Sequence, residues 1–114
     1  MKQTGKLDYL ELAATHGTLD TVKAFYSAAF SWTFIDYGPT YSAFDEGLEG
    51  GFDAMPFEEQ AKPLPVLYSD ALEETLDAVV AAGGTIVRPI FAFPGGRRFH
   101  FADPAGNELA VWGE

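Results

Sequence analysis

The second half of this chain repeats the pattern of its first. At an offset of 57, half of the 114 residues, Thr18-Leu19-Asp20-Thr21-Val22 falls on Thr75-Leu76-Asp77-Ala78-Val79, Phe44 on Phe101 and Phe52 on Leu109. Each copy is one supersecondary unit with an open sheet face, which a sister copy in this chain or in a partner must cover. A duplicated unit of this size predicts one domain over residues 1–114, with module one at about 7–57 and module two at about 64–113.

The hydrophobic pattern predicts the same unit twice. Residues 7–13 alternate as a strand, with Leu10 and Leu12 on one face and Tyr9, Glu11 and Ala13 on the other. Leu19, Val22, Phe25, Tyr26 and Ala29 follow at helical spacing, with Thr18 placed as N-cap. Three short strands are expected at 32–35, 41–45 and 50–55, then a proline-bracketed linker at 57–65. The order restarts with a strand at 66–68. Asp70 and Glu73 form an expected capping box for a helix whose apolar face is Leu72, Leu76, Val79 and Val80, ended by Gly83-Gly84. Strands at 85–93, 98–102 and 108–112 complete the repeat, and Pro89 and Pro94 argue for an edge position in the first of them. The expected fold is α+β: two βαβββ modules forming a curved mixed sheet, with helices outside and a cleft between the half-sheets.

Composition narrows the function classes. Seventeen acidic against seven basic residues give a net charge of -10, a surface that repels phosphate backbones and anionic lipid, so neither nucleic acid nor membrane is an expected partner. The same field draws cationic ligands. No cysteine is present, which excludes disulfides, thiolate nucleophiles and Cys-ligated metals and leaves His, Asp and Glu as the available ligands. The amino terminus lacks an apolar signal core, and no run approaches the ~20 residues of a membrane span, so a cytoplasmic protein is expected.

The paired-module plan carries specific strings: Leu10-Glu11-Leu12, Lys23-Ala24-Phe25-Tyr26, Gly50-Gly51-Phe52, Ala82-Gly83-Gly84 and Asp103-Pro104-Ala105-Gly106-Asn107-Glu108-Leu109. Together they resemble the vicinal oxygen chelate superfamily, which includes glyoxalase I, extradiol dioxygenases, fosfomycin resistance enzymes and bleomycin resistance proteins. Metal-dependent members present His or Glu from four strands. The resemblance puts Tyr9 at the first-strand ligand position, Leu64 at the position opening module two and Ala110 on the last strand, with Asp53 falling on Ala110 at the offset of 57. One carboxylate does not make a catalytic metal site, which uses three or more protein ligands. Neither a metal nor another cofactor is therefore expected, and classical glyoxalase I or dioxygenase chemistry is not.

What the resemblance implies instead is a polar, aromatic, metal-free cleft. Its inward residues would be Tyr9, Glu11, Tyr41, Asp53 and Met55, then Arg98, His100, Glu108 and Trp112, with Phe99 and Phe101 under the second helix. Tyr9 either donates a hydrogen bond where relatives hold metal or fills the volume of the ion. His100 is the candidate catalytic residue, as an acid-base group paired with Glu11, Asp53 or Glu108, although a lone His between two Phe residues is more often a structural or ligand-contacting imidazole. Trp112 either stacks on a ligand or buries a module interface. His16 and Arg97 are expected to face solvent. The leading expectation is a metal-independent small-molecule-binding protein of the bleomycin-resistance type, with a homodimer as the assembly. The alternative is a glyoxalase-type lyase or isomerase, using His100 with a carboxylate or a metal on Glu11, Asp53, His100 and Glu108.

Overall fold

A computed structural model describes residues 2–15, 17–54 and 62–114. The elements run β1 (Leu7–Ala13), α1 (Leu19–Phe30), β2 (Ile35–Asp36), β3 (Tyr41–Asp45), β4 (Glu49–Asp53), β5 (Leu64–Tyr68), α2 (Leu72–Ala81), β6 (Thr85–Phe93), β7 (Gly96–Ala102) and β8 (Glu108–Gly113). The architecture is α+β, and βαβββ occurs twice. The chain divides into a first unit, Tyr9–Pro63, and a second, Leu64–Glu114 together with Met1–Asp8.

In the first unit the strand order is β2-β3-β4-β1, with β1 parallel to β4 and the other pairs antiparallel. The core under α1 joins Leu19, Val22 and Tyr26 of the helix to Leu12, Phe44 and Phe52 of the sheet. Trp32 and Phe34 lie outside the strand expected at 32–35, which shrinks to Ile35–Asp36. Trp32 instead stacks on Tyr26 at 4.6 Å and lies 4.8 Å from Phe44, so aromatic burial takes the residue out of the ladder. Thr18 occupies the N-cap position, but its hydroxyl donates to the Thr15 carbonyl instead of accepting from the helix.

The second unit repeats the arrangement as β5-β8-β7-β6. Its core gathers Leu72, Leu76 and Val79 from α2 onto Leu67, Phe99, Phe101 and Val111. β6 lies at the edge, as its prolines require, and its pairing with β7 shifts register on both sides of Arg88. β5 starts at Leu64, two residues before the expected strand; residues 57–61 of the expected linker lie outside the described residues. The capping box does not form. Asp70 accepts from the Thr4 hydroxyl, Glu73 accepts from Arg97, and Ser69 Oγ takes the Ala71 N–H.

Candidate functional site

In each unit, strand alternation sends one set of side chains under the helix and the other to the opposite face of the sheet. On that opposite face of the first unit stand Tyr9 and Glu11 from β1, Tyr41 from β3, and Gly51 and Asp53 from β4. A side chain reaching from β3 to β1 must cross β4, and Tyr41 crosses at Gly51, which pairs with Ala43 on one side and Glu11 on the other. A Cβ at Gly51 would collide with the Tyr41 ring and hydroxyl. Over that gap Tyr41 Oη donates to Glu11 Oε2 at 3.3 Å, and Tyr9 and Tyr41 share a 2.6 Å hydroxyl contact. Each phenol has one proton, so with the Tyr41 proton on Glu11, Tyr9 donates to Tyr41. Burial raises both phenols above their ordinary pKa, and the Glu11 carboxylate pushes Tyr41 further up. The group is a chain of neutral donors ending on a carboxylate, with no phenolate available as a base.

The second unit holds a different chemistry in the same place. Phe99 and Phe101 turn under α2, so Arg98 and His100 project from the other face, beside Glu108, Ala110 and Trp112 of β8. His100 is 2% exposed, and its Nδ1 lies 3.0 Å from Glu108 Oε2. A carboxylate only accepts, so Nδ1 carries the proton and Nε2 keeps a lone pair. Among the described residues Nε2 has no hydrogen-bond partner. An unmade bond of this kind costs about 1–3 kcal/mol, which marks the position for explanation. Burial is the main cause holding the imidazole below its ordinary pKa; Glu108 opposes it, and the charges of Arg98 and Arg88 reinforce it.

Around this pair, the Arg88 guanidinium lies 4.0 Å from the Phe91 ring centroid, Arg98 lies 5.5 Å from Phe91 and 5.6 Å from Phe93, and the His100 ring is 5.8 Å from Phe91. Trp112 donates its indole N–H to Asp8 at 3.0 Å, with Lys2 over its ring, so only its hydrocarbon surface is left for a ligand. Arg97 lies on the helix side, paired with Glu73 of α2. His16 and Met55 lie outside the described residues. Sequence reasoning missed Arg88, Phe91 and Asp8. The register shifts around Pro89 hide which β6 residues share a face with His100.

Register also corrects the ligand positions. In the β3-β4 hairpin Tyr41 pairs with Asp53 and Ala43 with Gly51; in the β7-β8 hairpin Arg98 pairs with Trp112 and His100 with Ala110. The offset of 57 carries Tyr41 onto Arg98, so Gly51, and not Asp53, matches Ala110. The slip of two residues comes from the turns: 46–48 in one hairpin, 103–107 in the other. The longer turn is built by Asp103, whose Oδ1 accepts the Ala105 and Asn107 N–H groups at 2.8 and 2.9 Å, and by Gly106 at φ 89°. The four positions are then a hydrogen-bonded phenol (Tyr9), a glycine, Leu64 at 3% exposure and Ala110 at 0%. This donor set does not fit a divalent ion. Glu11, Asp53, His100 and Glu108, the alternative ligand set, do not form a metal-holding cluster; none of three or more such groups occurs among the described residues.

Two half-sheets of this order, each with a helix on one face, define the fold of the glyoxalase and bleomycin-resistance proteins. The profile of the Glyoxalase/Bleomycin resistance protein/Dioxygenase superfamily matches residues 6–111, and the chain belongs to that superfamily. Among solved structures it is similar to methylmalonyl-CoA epimerase from Streptomyces coelicolor in complex with 2-nitronate-propionyl-CoA, with a TM-score of 0.72 and 11% identity over 98% of this chain and 99% of that one. Hypothetical protein BH1468 from Bacillus halodurans gives 0.71 and 14% over 96% and 94%. The Mn(II)-bound glyoxalase from Novosphingobium aromaticivorans gives 0.67 and 18% over 99% of this chain and 40% of that one. At these identities the likeness is one of fold. No curated protein matches the sequence.

Proposed function

We propose that this protein binds a small molecule without a metal, through Tyr9, Glu11, Tyr41 and Asp53 in the first unit and Arg98, His100, Glu108 and Trp112 in the second. One observation carries the reading: the positions where metal-dependent relatives present ligands hold Tyr9, Gly51, Leu64 and Ala110, while ordered polar networks stand beside them on the same sheet faces. Apolar walls with a few fixed polar groups are what small-molecule sites use. The net charge of -10 supports a ligand with a cationic group, and the chain ending on Glu11 offers it an acceptor. The protein acts, on this reading, as a cytoplasmic homodimer, in keeping with a cysteine-free chain built from paired modules. No described helix is long and apolar enough to cross a membrane.

A second reading, a lyase or isomerase of the glyoxalase type, is favoured by the His100–Glu108 pair. A carboxylate that fixes the tautomer and leaves Nε2 open is how an imidazole is prepared to take a proton from a substrate. One solved relative is an epimerase, which makes CoA esters a reasonable class to include in a screen. Calorimetric titration with cationic glycopeptides, CoA esters and small metabolites, run in chelator and again with divalent metal, tests both readings. Binding of at least one class in chelator is expected. No binding of any class, or binding only with metal, would overturn the metal-independent reading; turnover in chelator that His100→Gln abolishes would select the second.

A further inference from the structure

The hydroxyl relay of the first unit has a direction. Glu11 only accepts, so the single Tyr41 proton is spent on it, and the single Tyr9 proton is then spent on Tyr41. Tyr9 Oη therefore meets a ligand as an acceptor, with lone pairs and no proton to give. Among the described residues Tyr41 is the one hydrogen-bond partner of this hydroxyl, and Tyr9 is half-buried. A carbonyl or carboxylate placed on Oη would set lone pair against lone pair, whereas an N–H or O–H would extend the chain. Charge selects between those donors. Alternation on β4 puts Glu49 on this face with Gly51 and Asp53. The carboxylates of Glu11 and Glu49 act on Tyr9 in the same sense, both raising its pKa. A neutral hydroxyl would satisfy Oη and leave that negative field unanswered; a protonated amine answers both.

We propose that Tyr9 Oη is the docking atom for a protonated amine of the ligand, which donates an N–H to it while the relay through Tyr41 carries the bond on to Glu11. The ligand class is a small amine that keeps at least one N–H when charged. The inference rests on the binding reading above and deepens it, replacing a cationic group of unstated kind with a donor on a named atom.

The test uses the full chain with tyrosine labelled by ¹³C at Cζ, which gives five signals, the Tyr9 one being that lost in Tyr9→Phe. N,N-dimethylbenzylamine, benzyltrimethylammonium and benzyl alcohol form a matched set at neutral pH: cation with an N–H, cation without one, and donor without charge. Dimethylbenzylamine is expected to shift the Tyr9 signal saturably and to bind about tenfold or more tighter than either analogue, as one lost charge-assisted bond requires. Tyr9→Phe, which keeps the ring and removes the acceptor, should abolish the preference over the quaternary ammonium. The comparison of probes in the native protein stands even if that variant fails to fold. Equal binding of the amine and either analogue, no saturable Tyr9 shift with the amine, or a preference that survives Tyr9→Phe overturns the inference. In each of these cases binding in the calorimetric panel leaves the binding reading standing. If no compound of any class binds, both fall together.

Discussion

The helix-free faces of the two units share a backbone plan and differ in chemistry. In the first, two phenols pass hydrogen bonds to a carboxylate across a glycine; in the second, a carboxylate fixes an imidazole among guanidiniums. All three arginines of the chain belong to the second unit. The fold decides which positions face away from the helix, but a single Cβ and a turn two residues longer decide what those positions can do. Gly51 lets Tyr41 lie across its strand, and the Asp103 turn sets Ala110, with no reach of its own, beside His100.

The cores that hold the two faces carry the largest expected effect. Phe99 is fully buried directly between Arg98 and His100, and Phe99→Ala should cost about 3–5 kcal/mol in denaturant unfolding. A loss below about 1 kcal/mol would mean that the second face lacks the support described. Next comes Gly51→Ala, expected to cost about 1–3 kcal/mol because its Cβ meets the Tyr41 ring, and to be milder in a Tyr41→Ala background. The matching change in the second unit, Ala110→Gly, should cost about 1–2 kcal/mol, from backbone entropy and one buried methyl group, and should not depend on Tyr41. A Gly51→Ala loss that Tyr41→Ala does not relieve would contradict the crossing of β4 by Tyr41.

Smaller still is the hydroxyl relay. Tyr9→Phe and Tyr41→Phe should each cost about 1 kcal/mol, and a double-mutant cycle should show them coupled. Additive losses would mean that the two hydroxyls act separately. For His100 the sign follows from its depressed pKa. The folded chain favours the neutral ring, so the stability it contributes is present above the unfolded value of 6.5 and is lost as pH falls below it, toward the lower folded pKa. Glu108, Arg88 and Arg98 are the charged groups that act on that ring. Thermal midpoints measured on either side of about pH 6.5 should fall on the acid side in the native protein and show a shallower slope in His100→Gln. Smallest is Arg97→Ala, which removes an exposed pair with Glu73 and should leave unfolding unchanged within error.

Much of this was legible in the sequence. Alternation in Leu7–Ala13 separated Tyr9 and Glu11 from Leu10 and Leu12, the family resemblance implied that His100 faces away from Phe99 and Phe101, and the prolines of β6 marked an edge. What was hidden depended on two elements meeting. Asp70 and Glu73 have the spacing of a cap, but Thr4 and Arg97, distant in sequence, take them. Asp53 was matched to Ala110 because a fixed offset does not register a longer turn. Arg88 was hidden by register shifts that no periodicity predicts, and Gly51 stood in a recognised string without revealing that a tyrosine crosses it.

The proposed binding needs no metal. Metal analysis of the purified protein, with the calorimetric titration repeated after exhaustive chelation, tests it most directly. Far less than one equivalent of any divalent ion is expected, with a binding isotherm that chelation leaves unchanged. Roughly one equivalent of nickel, zinc, manganese or iron, lost on Asp53→Asn or His100→Gln together with ligand binding, would contradict it.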